Sequence, residues 1–100
     1  MDFEWDEAKR QDVLRRRGID MLDAALIFES EVITHVDDRQ DYGEIRFVSL
    51  GLADGECYVV VHVERNGITR LITAWKGGKD DRTRYQASLS RRDPADEGSR

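Results

Sequence analysis

Two dipeptides, Asp54-Gly55 and Asn66-Gly67, divide residues 46–76 into three segments of apolar and β-branched residues, and they constrain the fold more than any other feature. A two-residue hairpin loop needs positive φ at both central positions, which Gly adopts freely and Asn or Asp tolerates. RFVSLGL, ECYVVVHVE and NGITRLITAW are therefore expected as consecutive antiparallel strands. Such loops also set register, and register decides which side chains share a face. The second loop predicts Val63 opposite Arg70, His62 opposite Leu71, Val61 opposite Ile72 and Tyr58 opposite Trp75. The first predicts Leu50 opposite Val59, Val48 opposite Val61 and Phe47 opposite His62. One face then carries Val48, Leu50, Val59, Val61, Ile72 and Ala74, apolar enough to lie under helices, with Arg46, Arg65 and Arg70 on its rim. The other carries Phe47, Tyr58, Val60, His62, Glu64, Leu71, Thr73 and Trp75. A face that only met water would hold Lys, Glu and Thr, so this mixed face is the candidate site.

The rest of the chain supplies helices. Asp6 can cap a helix over Glu7 to Arg17, which Gly18 stops as a left-handed residue. Asp20 caps a second helix from Met21 to about Glu29, with Met21, Ala24, Ala25 and Phe28 at the spacing of a buried stripe. VITHV, residues 32–36, reads as a further strand, and residues 79–91 as a closing helix with Asp80 and Asp81 at its start. The expected architecture is α+β: two N-terminal helices on a twisted antiparallel meander, then a C-terminal helix. One domain over residues 1–90 is expected, with a disordered tail over 91–100.

Charge is distributed unevenly. The net charge is −5, yet residues 1–64 carry 7 Lys/Arg against 16 Asp/Glu, and residues 65–92 carry 8 against 2. A polyanion responds to the field within about 10 Å, so the basic second part counts for more than the acidic sum. No apolar run approaches the roughly 20 residues that span a bilayer, and MDFEWDEAKR is too polar for a signal peptide. Cys57 is the only cysteine, which excludes an intrachain disulfide and a cysteine-based zinc site. A cytoplasmic protein without membrane contact or cofactor is expected.

The basic segment points to single-stranded nucleic acid, whose bases stack on rings while cations track its phosphates. Tyr58, Trp75 and Tyr85 are the candidate rings, and Arg70 and Arg82 candidate phosphate contacts. RNA carries its own nucleophile, the 2′-hydroxyl, so a metal-free ribonuclease needs only a base, an acid and cations for the pentacovalent phosphate. His62 or Glu64 is the candidate base, and Arg65, Lys76 and Lys79 are candidate catalytic cations. The alternative for Trp75 and Tyr58 is packing against the last helix, and for His62 a structural role in its strand.

FEWDEAK (3–9), the basic helix ending in Gly18, DDRQDYGEIRF (37–47), Gly51, VVVHVER (59–65), ITAWK (72–76) and Tyr85 occur in the order and spacing of the BrnT toxins, which the chain resembles over about residues 1–86. The resemblance implies a RelE-like fold and a ribonuclease that blocks translation. It implies a BrnA-like antitoxin partner with a ribbon-helix-helix domain, and operator DNA bound only through that partner. His62, Glu64 and Arg65 match the family's H-x-E-R strand end, and the resemblance further implies site roles for Arg46 after the Tyr-Gly-Glu loop, as an RNA contact, for Arg70 at the start of the last strand, and for Lys76 and Lys79 in its basic exit. The family usually has Lys-His-Gly where this chain has Arg16-Arg17-Gly18, and often Ser-Ala-Arg where it has Thr73-Ala74-Trp75. A second functional reading is a catalytically weak relative that chiefly binds its antitoxin as a regulatory module.

Overall fold

The computed structural model describes residues 1–91. In chain order the elements are β1 (Asp2–Trp5), α1 (Glu7–Arg17), α2 (Met21–Ala24), a 3-10 turn (Ala25–Glu29), β2 (Ile33–Val36), β3 (Phe47–Ala53), β4 (Glu56–Arg65), β5 (Ile68–Lys76) and α3 (Lys79–Arg91). The strands form one sheet in the order β1-β5-β4-β3-β2.

Local chemistry accounts for most boundaries. Asp6 accepts hydrogen bonds from the amides of Ala8 and Lys9, and Gly18 ends α1 at φ 70°. The Asp20 carboxylate accepts from the Leu22 amide at the start of α2. That second helix is four residues long and then tightens into the 3-10 turn, which turns Ile27 fully into the core beside Ala24. Both predicted hairpin loops adopt paired positive φ, at Asp54 and Gly55 and at Asn66 and Gly67. Of the anticipated tail, Arg91 closes α3, and residues 92–100 lie outside the described residues.

Three expectations are corrected. The sheet is mixed: β2 to β5 pair antiparallel, but β1 pairs parallel with β5, Glu4 lying opposite Arg70 and Trp5 opposite Leu71. Four residues before a helix carry too little periodicity to announce a strand, and the partner lies more than sixty residues away in sequence.

The β4–β5 register follows the Asn66-Gly67 loop only as far as His62 opposite Leu71; a bulge at Ile72 then places Val61 opposite Thr73 and Val59 opposite Trp75. One extra residue exchanges the faces of everything beyond it. Ala74 therefore packs with Val60, Leu71, Val13, Met21 and Ala24, while Trp75 joins the opposite side with Val48, Leu50, Val59 and Val61. Ala74 is completely buried beneath the N-terminal helices, a place where only a small side chain fits.

The third correction concerns layers. The N-terminal helices cover the face that carries Val60, His62 and Leu71, and α3 covers the Val48–Leu50–Val59–Val61 face through Tyr85 and Leu89. Both faces are thus occupied, and the open surface is the end of the α3 face that α3 does not reach. Gly77 makes the turn into α3 possible: its amide donates to the Cys57 carbonyl at 2.8 Å, and a Cβ there would lie 2.6 Å from the Cys57 sulfur. The Gly78 amide donates to Asp81 Oδ2 at 3.0 Å and its carbonyl accepts from the Arg82 amide, which starts the helix.

Candidate functional site

His62 does not lie on an open surface with the cations, whereas its carboxylate partner Glu64 is exposed. His62 is 4% exposed, with the Phe28 ring edge-on at 5.1 Å. Its Nε2 is 2.7 Å from Ser49 Oγ and its Nδ1 2.5 Å from Glu64 Oε2. Ser49 Oγ continues to Thr34 Oγ1 at 2.7 Å, and Thr69 Oγ1 donates to the other Glu64 oxygen at 2.8 Å. Five side chains from four strands form one hydrogen-bonded chain, buried at Ser49, His62 and Thr69 and exposed at Thr34 and Glu64. Burial pushes the His62 imidazole below its ordinary value, against the opposing pull of the Glu64 hydrogen bond and charge. Ser49 is fully buried, so the Ser–His–Glu order resembles a nucleophilic triad without offering a reachable hydroxyl.

The candidate rings separate too. Tyr85 is buried, and its hydroxyl donates to the Glu31 carbonyl at 2.7 Å, tying α3 to the segment before β2. Tyr58 packs against the Val60–Ala74 cluster, on the side of the sheet away from Trp75. Trp75 is half-buried with the Arg17 guanidinium 5.5 Å from its ring centre, and it lines a hollow of about 190 Å³ with His35, Val36, Val48 and Val59, the carboxylates Asp37, Asp38 and Asp81, and the cations Arg39 and Arg84. Tyr58 is thus on the other face, and Tyr85, in the same cluster as Trp75, is buried.

The cations fall into two groups at opposite ends of β5. At the α3 end, Lys76 Nζ and Arg82 Nη2 lie 3.7 and 3.5 Å from the same Glu56 carboxylate, Arg82 also donates to the Gly55 carbonyl, and Lys79 is exposed at the start of α3. Arg70 is six residues from Lys76 on the strand, about 20 Å at the rise of an extended chain. Around it lie Arg46 and a residue without any site signal in the sequence, Lys9.

Lys9, Arg46, Arg70 and Ile72 line one cleft of about 330 Å³, together with Asp6 and Leu71. Alternation from Val48 places Arg46 on the α3 face, and the 2.8 Å bond from the Asp37 amide to the Arg46 carbonyl extends the β2–β3 ladder to it. Its guanidinium stacks 4.1 Å from the centre of the Tyr42 ring. The Tyr42 hydroxyl donates to Asp37 Oδ2 at 3.1 Å, and Arg39 grips the same carboxylate at 2.7 and 2.8 Å, holding its pKa far below the usual carboxylate range. DDRQDYGE is thus a brace that aims Arg46. Among the described residues, Arg46 Nε is the one buried side-chain polar atom without a hydrogen-bond partner, Glu44 being 4.0 Å away. Arg70 is held only loosely, 3.6 Å from Glu4, and the Asp6 carboxylate is engaged in capping α1. Arg65 sits beyond the cleft, bonded to Glu44 at 3.0 Å.

Several cations around one cleft are suited to an oxyanion with several oxygens. Lys9 was not recognisable beforehand because its position depends on α1 following β1 along the sheet edge.

A family model for the ribonuclease toxin BrnT of type II toxin–antitoxin systems matches residues 5–81. The chain belongs to the BrnT family. A search of curated proteins finds no match. The matched span takes in β1's end, all the intervening strands and helices and the first residues of α3, so the cleft residues of this BrnT chain, Lys9, Arg46 and Arg70, all fall within it. A BrnT protein is a toxin with ribonuclease activity and an antitoxin partner. Among the described residues no helix is long and apolar enough to cross a membrane.

Proposed function

We propose that the Lys9–Arg46–Arg70 cleft holds the scissile phosphate of RNA, and that the protein is a RelE-like endoribonuclease acting without a metal ion. The observation that carries this is the convergence of Lys9, Arg46 and Arg70 on one cleft, with the Arg46 guanidinium held in place by the Tyr42 ring. The 2′-hydroxyl attacks the adjacent phosphorus and gives its proton to solvent water; a P–O2′ bond forms as the P–O5′ bond breaks, the departing 5′-oxygen takes a proton from water, and the three cations stabilise the charge on the pentacovalent phosphorus. Nucleotides beside the scissile bond reach the Trp75 hollow, where one base stacks on the indole. Lys76, Lys79 and Arg82, about 20 Å away along the strand, track the outgoing backbone. His62 and Glu64 act by holding the sheet in register.

The partner in this reading is a BrnA-like ribbon-helix-helix antitoxin in the cytoplasm. It neutralises the toxin, and the complex represses its own operon through the antitoxin's DNA contacts. The deciding experiment is cleavage of single-stranded RNA by purified protein in EDTA. Arg46→Ala and Arg70→Ala should each slow cleavage about a hundredfold; a double variant that cleaves at the parent rate overturns the site, and activity lost in EDTA but restored by a divalent ion overturns metal independence.

The burial of His62 favours one second reading, a catalytically weak protein whose main role is to bind its antitoxin. Absence of cleavage at any pH, with antitoxin binding intact, is its signature.

A further inference from the structure

On the side of the sheet away from the basic cleft, β1 and the 21–29 segment enclose an apolar groove of about 430 Å³. Phe3 and Trp5 form one wall, and Leu22, Leu26 and Phe28 the other. It is built beforehand: the Phe3 and Phe28 rings stand 5.8 Å apart, and Trp5 Nε1 is fixed by a 3.0 Å bond to Glu7. Leu26 is 43% exposed and Met1 76%, so large apolar surface faces water here.

The charge at the groove is acidic. Glu29 lines it, Asp23 is exposed on the same segment, no Lys or Arg lines it, and the nearby Arg10 is paired with Glu7 and Asp20. RNA has nothing to gain at such a surface, since its phosphates would meet carboxylates. A second copy of the chain would bring the same carboxylates against themselves. A segment with apolar side chains flanked by Lys or Arg fits both the groove and its rim.

Resting on the membership in type II toxin–antitoxin pairs, which supplies a protein partner, we propose that this groove anchors the antitoxin through an amphipathic segment that is apolar in the middle and basic at its edges. Anchoring and inhibition are then separate contacts. The groove lies across the sheet from Arg46 and Arg70, so a segment seated in it supplies affinity while leaving the cleft to be covered by another part of the partner. This contrasts with the simpler idea that an acidic antitoxin binds the basic residues 65–92.

The two tryptophans report separately, Trp5 in the groove and Trp75 on the α3 face. The test titrates the full chain with a synthetic Leu/Lys amphipathic peptide of roughly 15 residues, long enough for a helical face, and follows the indole N–H signals by NMR. The Trp5 signal should shift and that of Trp75 should not. Leu26→Glu, at an exposed position that the fold does not need, should weaken binding about tenfold or more. Equal binding to a Leu/Glu peptide or to a Ser/Lys peptide overturns the proposal, as does a shift of Trp75 instead of Trp5. Self-association that Leu26→Glu abolishes would assign the groove to a second copy. RNA cleavage by Leu26→Glu should match the parent. If neither cleaves, the ribonuclease reading fails while the groove result stands.

Discussion

The Arg17 guanidinium lies 5.5 Å from the centre of the Trp75 ring while its Nη1 donates to Thr73 Oγ1 at 3.0 Å and to the Ala74 carbonyl at 2.9 Å. The end of α1 and the end of β5 therefore touch one another. β1 covers the edge of β5 only up to Leu71, so Arg17 satisfies a carbonyl on the uncovered edge. Both bonds come from one nitrogen, which a lysine could imitate, but a lysine has no planar group to lie against the indole. Arg17→Ala should cost about 1–2 kcal/mol in urea unfolding and loosen Trp75, seen as lower fluorescence anisotropy in a Trp5→Phe background. Unchanged stability and anisotropy would show the contact to be incidental.

Tyr42 acts through Arg46. Tyr42→Leu removes both the ring beneath the guanidinium and the hydroxyl on Asp37, and should slow RNA cleavage by roughly tenfold with overall stability near that of the parent. Tyr42→Phe keeps the stack and should restore most of the rate. If both variants slow cleavage equally, the Asp37 bond rather than the stack positions Arg46.

His62 makes stability depend on pH in a definite direction. Its folded value lies below the ordinary 6.5, mainly because it is buried, so below that pH the unfolded chain binds more protons than the folded one. The stabilisation is complete above 6.5 and is lost as the pH falls through 6.5 towards the folded value. The urea midpoint should drop between about pH 7.5 and about pH 5.5, and His62→Gln should flatten that drop. A His62→Gln protein with the full pH dependence would assign it to the carboxylates instead.

Gly77→Ala should destabilise by about 1–3 kcal/mol, since its Cβ would meet the Cys57 sulfur. Combining it with Cys57→Ala should recover part of that loss, a coupling a double-mutant cycle reads directly. Gly78→Ala, with open space around its Cβ, should cost little. Equal costs at both glycines would put the effect in the backbone rather than in the close approach.

Tyr85→Phe removes the hydroxyl bond to the Glu31 carbonyl and should cost about 1 kcal/mol in thermal or urea unfolding. Tyr85→Ala should cost about 3–5 kcal/mol by emptying the contact between α3 and the sheet. RNA cleavage by Tyr85→Phe at the parent rate would agree with the buried, structural position of the ring.

The sequence was most legible where one residue's own conformation decides the outcome. Asp6, Gly18 and Asp20 cap the helices as their chemistry requires, and the two Xaa-Gly loops set the hairpins and the whole β3–β4 register. Arg46 and Arg70 could be placed on one sheet end from the turns alone. Lys9 and Tyr42 could not, because nothing local distinguishes a helical lysine or a loop tyrosine until another element is brought beside it.

Local backbone preference and turn chemistry, carried by neighbouring residues, determined the elements, their order and the first pairings of each hairpin. Tertiary structure decided the rest: β1 pairing parallel to a distant strand, the bulge at Ile72, and therefore which face Trp75 and Ala74 occupy. The physical reason is packing. A completely buried site under α1 and α2 accepts Ala74 and not an indole, and a one-residue shift in β5 satisfies that demand at the cost of one unpaired residue. The same shift removed Trp75 from the side of His62 and set it, with Arg17, on the side of the cations.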